Sequence, residues 1–363
     1  MTVKQLNPVK WTIWVRDLIE QRDLIKWAIW GVLVSLLIWG LFFNPAGNGP
    51  QFILDGIRFG SILMLGAIGL SLTYKILNFA NFSHGDILLF GAYVAFSIDW
   101  FLVGRLPNWF PALADPAHGE LLRWLAISLA IVIGVIATII MANLIDYVIY
   151  RRMRRSAAVV LVIASFGMAL FLRSFVQAIW GVGNRAYAMR VRLPMFFDLG
   201  PYRLRITTLQ IVTIVVAFVL VTLLHLFLRY TRTGKAMRAM SDNMDLARVT
   251  GINTDRMIRW TWGIGAGLAA IAGVFMGLNF GVITPNTGAQ VLLPLFAAVI
   301  LGGIGSPYGA MLGAMVIGIA QTVLVFPVTG IPVSYKPGIA FLLMIIMLLV
   351  RPNGLLGEVG RRG

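Results

Sequence analysis

The chain has 363 residues, of which 59% are hydrophobic and 12% charged, and its mean hydropathy is +0.86. No water-soluble domain of this length carries such a composition, so an integral membrane protein is expected. The net charge of +16 then points to basic loops at a membrane surface and not to nucleic acid. The lack of cysteine excludes disulfides, thiolate chemistry and Cys-ligated metal clusters.

Residues 1–26 are polar, yet Trp11, Trp14, Val15, Leu18 and Ile19 recur at helical spacing with Arg16, Asp17, Glu20 and Arg22 between them. That pattern predicts an amphipathic cytoplasmic extension lying on the membrane surface. Its charged part is too long for a secretory signal, and no small-x-small cleavage site follows the next apolar run. Apolar runs then occur at 27–43, 51–74, 84–103, 121–145, 157–179, 206–228, 260–282, 288–302, 308–326 and 337–350. A helical span needs about 20 residues, so about ten transmembrane helices are expected in one membrane domain over 27–357. The runs at 288–302 and 337–350 are short enough to be tilted or partly re-entrant. Residues 358–363 form a short tail.

Placing both termini in the cytoplasm puts two-thirds of the 30 Lys and Arg residues inside, including those of the 229–259 loop. One outside loop dissents: 180–205 carries Arg185, Arg190, Arg192, Arg203 and Arg205. Within the spans, small residues at four-residue spacing (Gly56/Gly60, Gly263/Gly267, Gly273/Gly277/Gly281, Gly309/Gly313) predict close helix packing. Arg58 and Arg173 fall near the outer ends of their runs, where snorkelling is expected. Asp99 and Asp146 are also near ends, so Asp86 is the one carboxylate with room to lie near mid-membrane. This scarcity argues against a proton- or sodium-driven carrier.

Two irregular stretches stand out. In "KILNFANFSHGDILLFGAY", residues 75–93, the polar residues Asn78, Asn81, Ser83, His84 and Asp86 gather between two apolar runs. Such breaks build polar substrate sites in membrane proteins, although a simple turn with Asn81 or Ser83 as helix cap fits as well. The second, "LGGIGSPYGAMLG" from Leu301, contains Gly302, Gly303 and Ser306. Neither it nor "TGKA" around Lys235 has the spacing of a phosphate loop. The histidines, His84, His118 and His225, lie far apart without H-E-x-x-H spacing, and no G-x-S-x-G elbow is present, so no enzyme site is indicated.

The longest polar insert runs from Arg229 to Arg259. It predicts a short helix near 242–251, with Ser241 or Asp242 as N-cap, Gly251 closing it, and Asn253 or Thr254 capping the next helix. A helix of about ten residues is marginal alone, so either a partner docks on it or it is a loop that touches nothing.

"FGSILMLGAIGLSLTYKILNFANFSHGDILLFGAYVAF", "RTGKAMRAMSDNMDLARVTGINTDRMI" and "AAVILGGIGSPYGAMLGAMVIG", with the closing "RPNGLLG", resemble the permease subunits of branched-chain and neutral amino-acid ABC importers. The match is closer to the H-type than to the M-type permease and covers roughly 51–357. Asp245, Leu246, Ala247 and Gly251 are similar to the family's E-A-A-x-x-x-G signature, with Asp and Leu in place of its first two letters. The resemblance implies a vitamin-B12-type (type II) permease bundle in the cytoplasmic membrane and a transport subunit, not an enzyme. It implies a second permease, an M-type partner, two cytoplasmic subunits that hold ATP and Mg, and an external solute-binding protein. This chain itself would carry no cofactor. It also implies that the segment with Ser241, Asp242, Asp245, Leu246, Ala247 and Gly251 docks on the ATPase. Asn78, Asn81, Ser83, His84, Asp86, Gly302, Gly303 and Ser306 are then candidates for the substrate path. Urea or short-amide import, a stand-alone carrier or channel, and a membrane enzyme are the alternatives.

Overall fold

A computed structural model describes residues 49–109, 119–188, 193–199, 202–325 and 332–357. The extension at 1–26, the apolar run at 27–43 and the tail at 358–363 lie outside the described residues. Among the described residues, six helices are long and apolar enough to cross a membrane. They are α1 (Gly49–Leu77), α2 (His84–Trp109), α3 (Gly119–Ile145), α4 (Ala158–Trp180), α5 (Thr208–Tyr230) and α8 (Thr254–Phe280). Between α5 and α8 lie two short polar helices, α6 (Arg232–Asp242) and α7 (Met244–Val249). Three shorter apolar helices follow: α9 (Thr287–Gly302), α10 (Pro307–Val323) and α11 (Lys336–Val350). Every apolar run expected from residue 51 onward is therefore a helix, and the chain is a multi-pass helical membrane protein.

One small element adds to the all-α fold that was expected. Strands β1 (Met195–Leu199) and β2 (Tyr202–Ile206) form an antiparallel hairpin with Met195 opposite Ile206 and Leu199 opposite Tyr202. The segment "YRLRI" alternates apolar and basic side chains, and its burial alternates with it, which is the period of a half-covered strand. The hairpin is tied to the start of α1. The Arg205 amide donates to Gln51 Oε1 at 2.8 Å, and Gln51 Nε2 donates back to the Arg205 carbonyl at 3.2 Å. A capping box of Thr207 and Gln210 then opens α5. The basic 180–205 loop thus sits at the end of α1 opposite Asn78.

The core is built where backbones touch. A Cβ on Gly69 of α1 would strike the Gly265 carbonyl of α8, one on Gly85 of α2 would strike Gly288 of α9, and one on Gly318 of α10 would strike Gly60 of α1. Gly56 and Gly60, Gly273, and Gly309 and Gly313 pack against neighbouring helices as the spacing predicts, whereas Gly277 meets the side chains of Tyr187 and Ile283, which lie outside helices. The remaining glycines of these pairs do not pack so closely. Gly281 is the left-handed C-cap of α8, with φ +77°. At Gly263 and Gly267 a Cβ would meet only ordinary side-chain contacts, beyond 3.4 Å.

Candidate functional site

At one end of the bundle, the four motif segments found in the sequence converge. The chain leaves α1 through Asn78, held at φ +54°, and re-enters α2 at His84. Asn81 shapes that loop. Its Oδ1 accepts from the Ser83 amide at 3.1 Å and from Ser83 Oγ at 2.7 Å, a local bond that offers the backbone a turn in place of helix. Ser83 Oγ also lies 3.3 Å from the Tyr150 hydroxyl, and Tyr150 stacks on Trp262 of α8 at 5.3 Å. His84 Nε2 lies 2.9 Å from the Gly66 carbonyl; because a carbonyl only accepts, this nitrogen carries the proton.

Asp86 is 1% exposed and is gripped by Arg173 of α4, whose Nε and Nη2 each donate to one carboxylate oxygen at 3.2 Å. This corrects the expectation that Arg173 snorkels to the interface. A buried carboxylate costs less when a guanidinium meets it with two bonds than when it stands alone. Nearby, a π turn at Asp146–Tyr150 continues α3 toward Arg151–Met153. Arg154 bridges Asp146 and Asp255, both at 2.6 Å, and Arg151 reaches Asp255 at 3.0 Å. Asp255 stands in the first turn of α8, so the "RRMRR" segment is clamped to the helix that follows α7.

The 229–259 insert is two helices, not one. Thr231 caps α6, and the N-cap of α7 is Asn243, whose side chain accepts from the Leu246 amide at 2.9 Å. Ser241 and Asp242, the expected caps, instead belong to the last turn of α6, and Ser241 Oγ donates to the Arg238 carbonyl at 2.7 Å. Gly251 closes α7 as expected, at φ +86°. The Ile252 amide bonds the Ala247 carbonyl at 3.0 Å in the six-to-one pattern of a glycine C-cap. Asn253 caps α8. Ala247 points into the bundle at 3% exposure, whereas Leu246 and Val249 are 59% and 82% exposed, and the Asp245 side chain is open to solvent.

The glycine-rich turn docks on the closing motif. The Leu355 and Leu356 amides donate to the Leu301 and Gly302 carbonyls, both at 2.9 Å. Gly303, at φ +110°, sits against Gly354 and Gly357, Gly302 packs on Gly309 of α10, and Ser306 caps α10 through the Gly309 amide. Between these parts lies a groove of about 720 Å³ lined by Asn78, Lys75, His225, Arg238, Ser241 and Ser306, among others. Of the candidate path residues, Asn78 and Ser306 face this groove. Asn81, Ser83, His84 and Asp86 are buried beside it with intramolecular partners. Among the described residues, no group of three or more His, Asp and Glu side chains lies together as a metal site would require.

The family model for the permease component of branched-chain amino acid transport systems matches residues 52–348. The chain belongs to that permease family. It is similar to the high-affinity branched-chain amino acid transport permease LivH of Salmonella typhimurium, 35% identical over 319 residues, 85% of this chain and 95% of the relative. It is also similar to LivH of Escherichia coli K12, 34% identical over 315 residues, and to BraD of Pseudomonas aeruginosa, 33% over 311, with the same shares covered. No solved structure matches the chain. Membership makes the permease a transport subunit and not an enzyme. Several residues that hold its site together carry little signal in the sequence: Tyr150, Arg154, Arg173, Asp255 and Trp262 reach their partners from distant helices. Asn243 and Val249 were legible in principle, as a cap-forming residue before "MDLARV" and as the position three after Leu246 on the same helix face.

Proposed function

We propose that the chain is the membrane-spanning permease of an ATP-driven importer for branched-chain or neutral amino acids. In this reading it forms a vitamin-B12-type bundle of about ten helices with both termini in the cytoplasm. It pairs with a second, M-type permease, two cytoplasmic ATP-binding subunits that hold ATP and Mg, and an external solute-binding protein. The relatives named LivH and BraD support the cargo class. The observation that carries the coupling is α7: six residues, capped at both ends, with Leu246 and Val249 exposed on its outer face. A helix this short is not stable by itself, and apolar side chains on a polar segment suit a partner cleft. Asp242, Asp245 and Gly251 complete the docking segment, while Ser241 and Ala247 join it to the bundle.

ATP-driven closure of the ATPase pair would push α7, and the Asp255 clamp to Arg151 and Arg154 gives that push a stiff route into α3 and α8. For the substrate path we assign Asn78 and Ser306 as uncharged hydrogen-bonding groups at the groove. Asn81, Ser83, His84 and Asp86 hold the loop beside them, and Gly302 and Gly303 hold the facing turn. A stand-alone proton carrier fits less well, because Asp86 is tied to Arg173 by two bonds rather than free to relay protons.

The test is uptake into proteoliposomes that hold the whole complex, with ATP enclosed at the ATPase face and the binding protein outside. Leucine, isoleucine and valine are expected to accumulate only with ATP. Accumulation of urea or acetamide in their place, or leucine uptake that persists without ATPase subunits, would contradict the assignment.

A further inference from the structure

A second groove, of about 690 Å³, opens on the outer side of the bundle between α3, α5 and α8. Its walls are Val135 and Ile139 of α3, Leu220 and Leu223 of α5, and Ile264 and Ile271 of α8. Gly263 and Gly267 form its floor, at the positions where a side chain would fit without touching a neighbour's backbone. No backbone approach requires these two glycines, and their lack of a side chain deepens the groove where α8 meets Val135 and Ile139 of α3.

One end of the groove is charged. Arg256 and Arg259 line it there, both exposed and without an ion-pair partner among the described residues, and the adjacent Asp255 is already taken by Arg151 and Arg154. Trp260, half exposed and 5.9 Å from Phe227, stands at the same level, where tryptophan marks the membrane–water interface. From Arg256 to Ile271 the groove follows α8 for about 22 Å, longer than one leaflet's half of a core about 30 Å thick. A slot of leaflet length, apolar except for Asn143 beside Gly263 and ending in two unpaired arginines beside a tryptophan, matches an acyl chain joined to a negatively charged headgroup.

We propose that this groove holds one anionic phospholipid, with an acyl chain over Gly263 and Gly267 and its phosphate on Arg256 and Arg259. The site lies on the helix that leaves α7, so bound lipid brackets the same helix end as the Asp255 clamp. Its evidence is independent of the amino-acid cargo and of ATPase docking.

The test uses the full chain with whatever subunits accompany it, stripped of lipid in detergent and offered dioleoyl phosphatidylglycerol or dioleoyl phosphatidylcholine, with retention read by native mass spectrometry. The wild type is expected to retain one phosphatidylglycerol in preference to phosphatidylcholine. Each Arg→Gln change at 256 and 259 should weaken retention about five-fold, while Arg256→Lys with Arg259→Lys should keep most of it. Gly267→Leu, which fills the slot and leaves both arginines, should lower retention of both lipids without lowering Tm. Equal retention of the two lipids by the wild type, or unchanged phosphatidylglycerol binding in the double Gln variant, would overturn the proposal. So would efficient cross-linking of Leu223→Cys to another protein subunit in a complex that retains no lipid, since the groove would then belong to a protein partner.

Discussion

Helices α5 and α8 show how this molecule inverts the rule of soluble proteins. α5 is the more apolar, with mean hydropathy 2.9 against 1.7, yet 28% of its membrane window is buried against 72% for α8. In lipid the outside is hydrocarbon, so α5 can turn its leucines and valines outward at no cost. The buried helices gain nothing from extra hydrophobicity and are instead selected for close approach and for polar groups that find partners. α8 accordingly carries glycine at Gly265 and Gly273 and sets Asp255 and Trp262 against α3 and its extension, while α1 and α2 supply Gly69, Asn81, His84 and Asp86.

The comparison is strained most by removing one member of the buried pair. Arg173→Gln leaves Asp86 without its counter-charge and should cost about 3–5 kcal/mol, read as loss of folded protein by thermal unfolding in detergent. Arg173→Leu combined with Asp86→Leu should recover much of it. Gly69→Leu forces α1 away from the Gly265 carbonyl and should cost about 3 kcal/mol, the upper end for overpacking. Gly167→Leu on α4, where a side chain meets open space, should shift stability by no more than about 0.5 kcal/mol. If the two glycine variants behave alike, buried and lipid-facing helices are not under different rules. Two smaller effects sharpen the picture at the loops. Ser83→Ala removes bonds to Asn81 and Tyr150 and should cost about 1–2 kcal/mol. Asn243→Ala removes the α7 cap and should cost about 1 kcal/mol, seen as faster hydrogen exchange confined to 244–250.

What could be read from the sequence follows the same division. The apolar runs were legible because lipid demands them locally, and the closing of α7 at Gly251 and the capping of α8 by Asn253 were legible because both are local backbone chemistry. The start of α7 was not, since Ser241, Asp242 and Asn243 are three competent caps in a row and only packing selects the third. The hairpin at 195–206 was hidden because five-residue strands give a weak alternation beside spans of 20 or more. Arg173 was misjudged for a different reason: its partner is 87 residues away, and a position near a span's end says nothing about which helix stands opposite. Gly263 and Gly267 share the spacing of packing glycines, but a Cβ there would meet only side chains of α3 at ordinary distance, a distinction that exists only once neighbouring helices are placed.

The most direct test of the account replaces the outer face of α7. Leu246→Arg with Val249→Arg alters only exposed side chains, and the tagged chain can be purified from its native membrane in mild detergent beside the wild type. The account predicts that the wild type brings a second permease and an ATP-binding subunit. The variant should keep the second permease and its Tm but lose the ATP-binding subunit. An ATP-binding subunit retained equally by both chains, or a wild-type chain that emerges alone under conditions that preserve other membrane complexes, would contradict docking through α7.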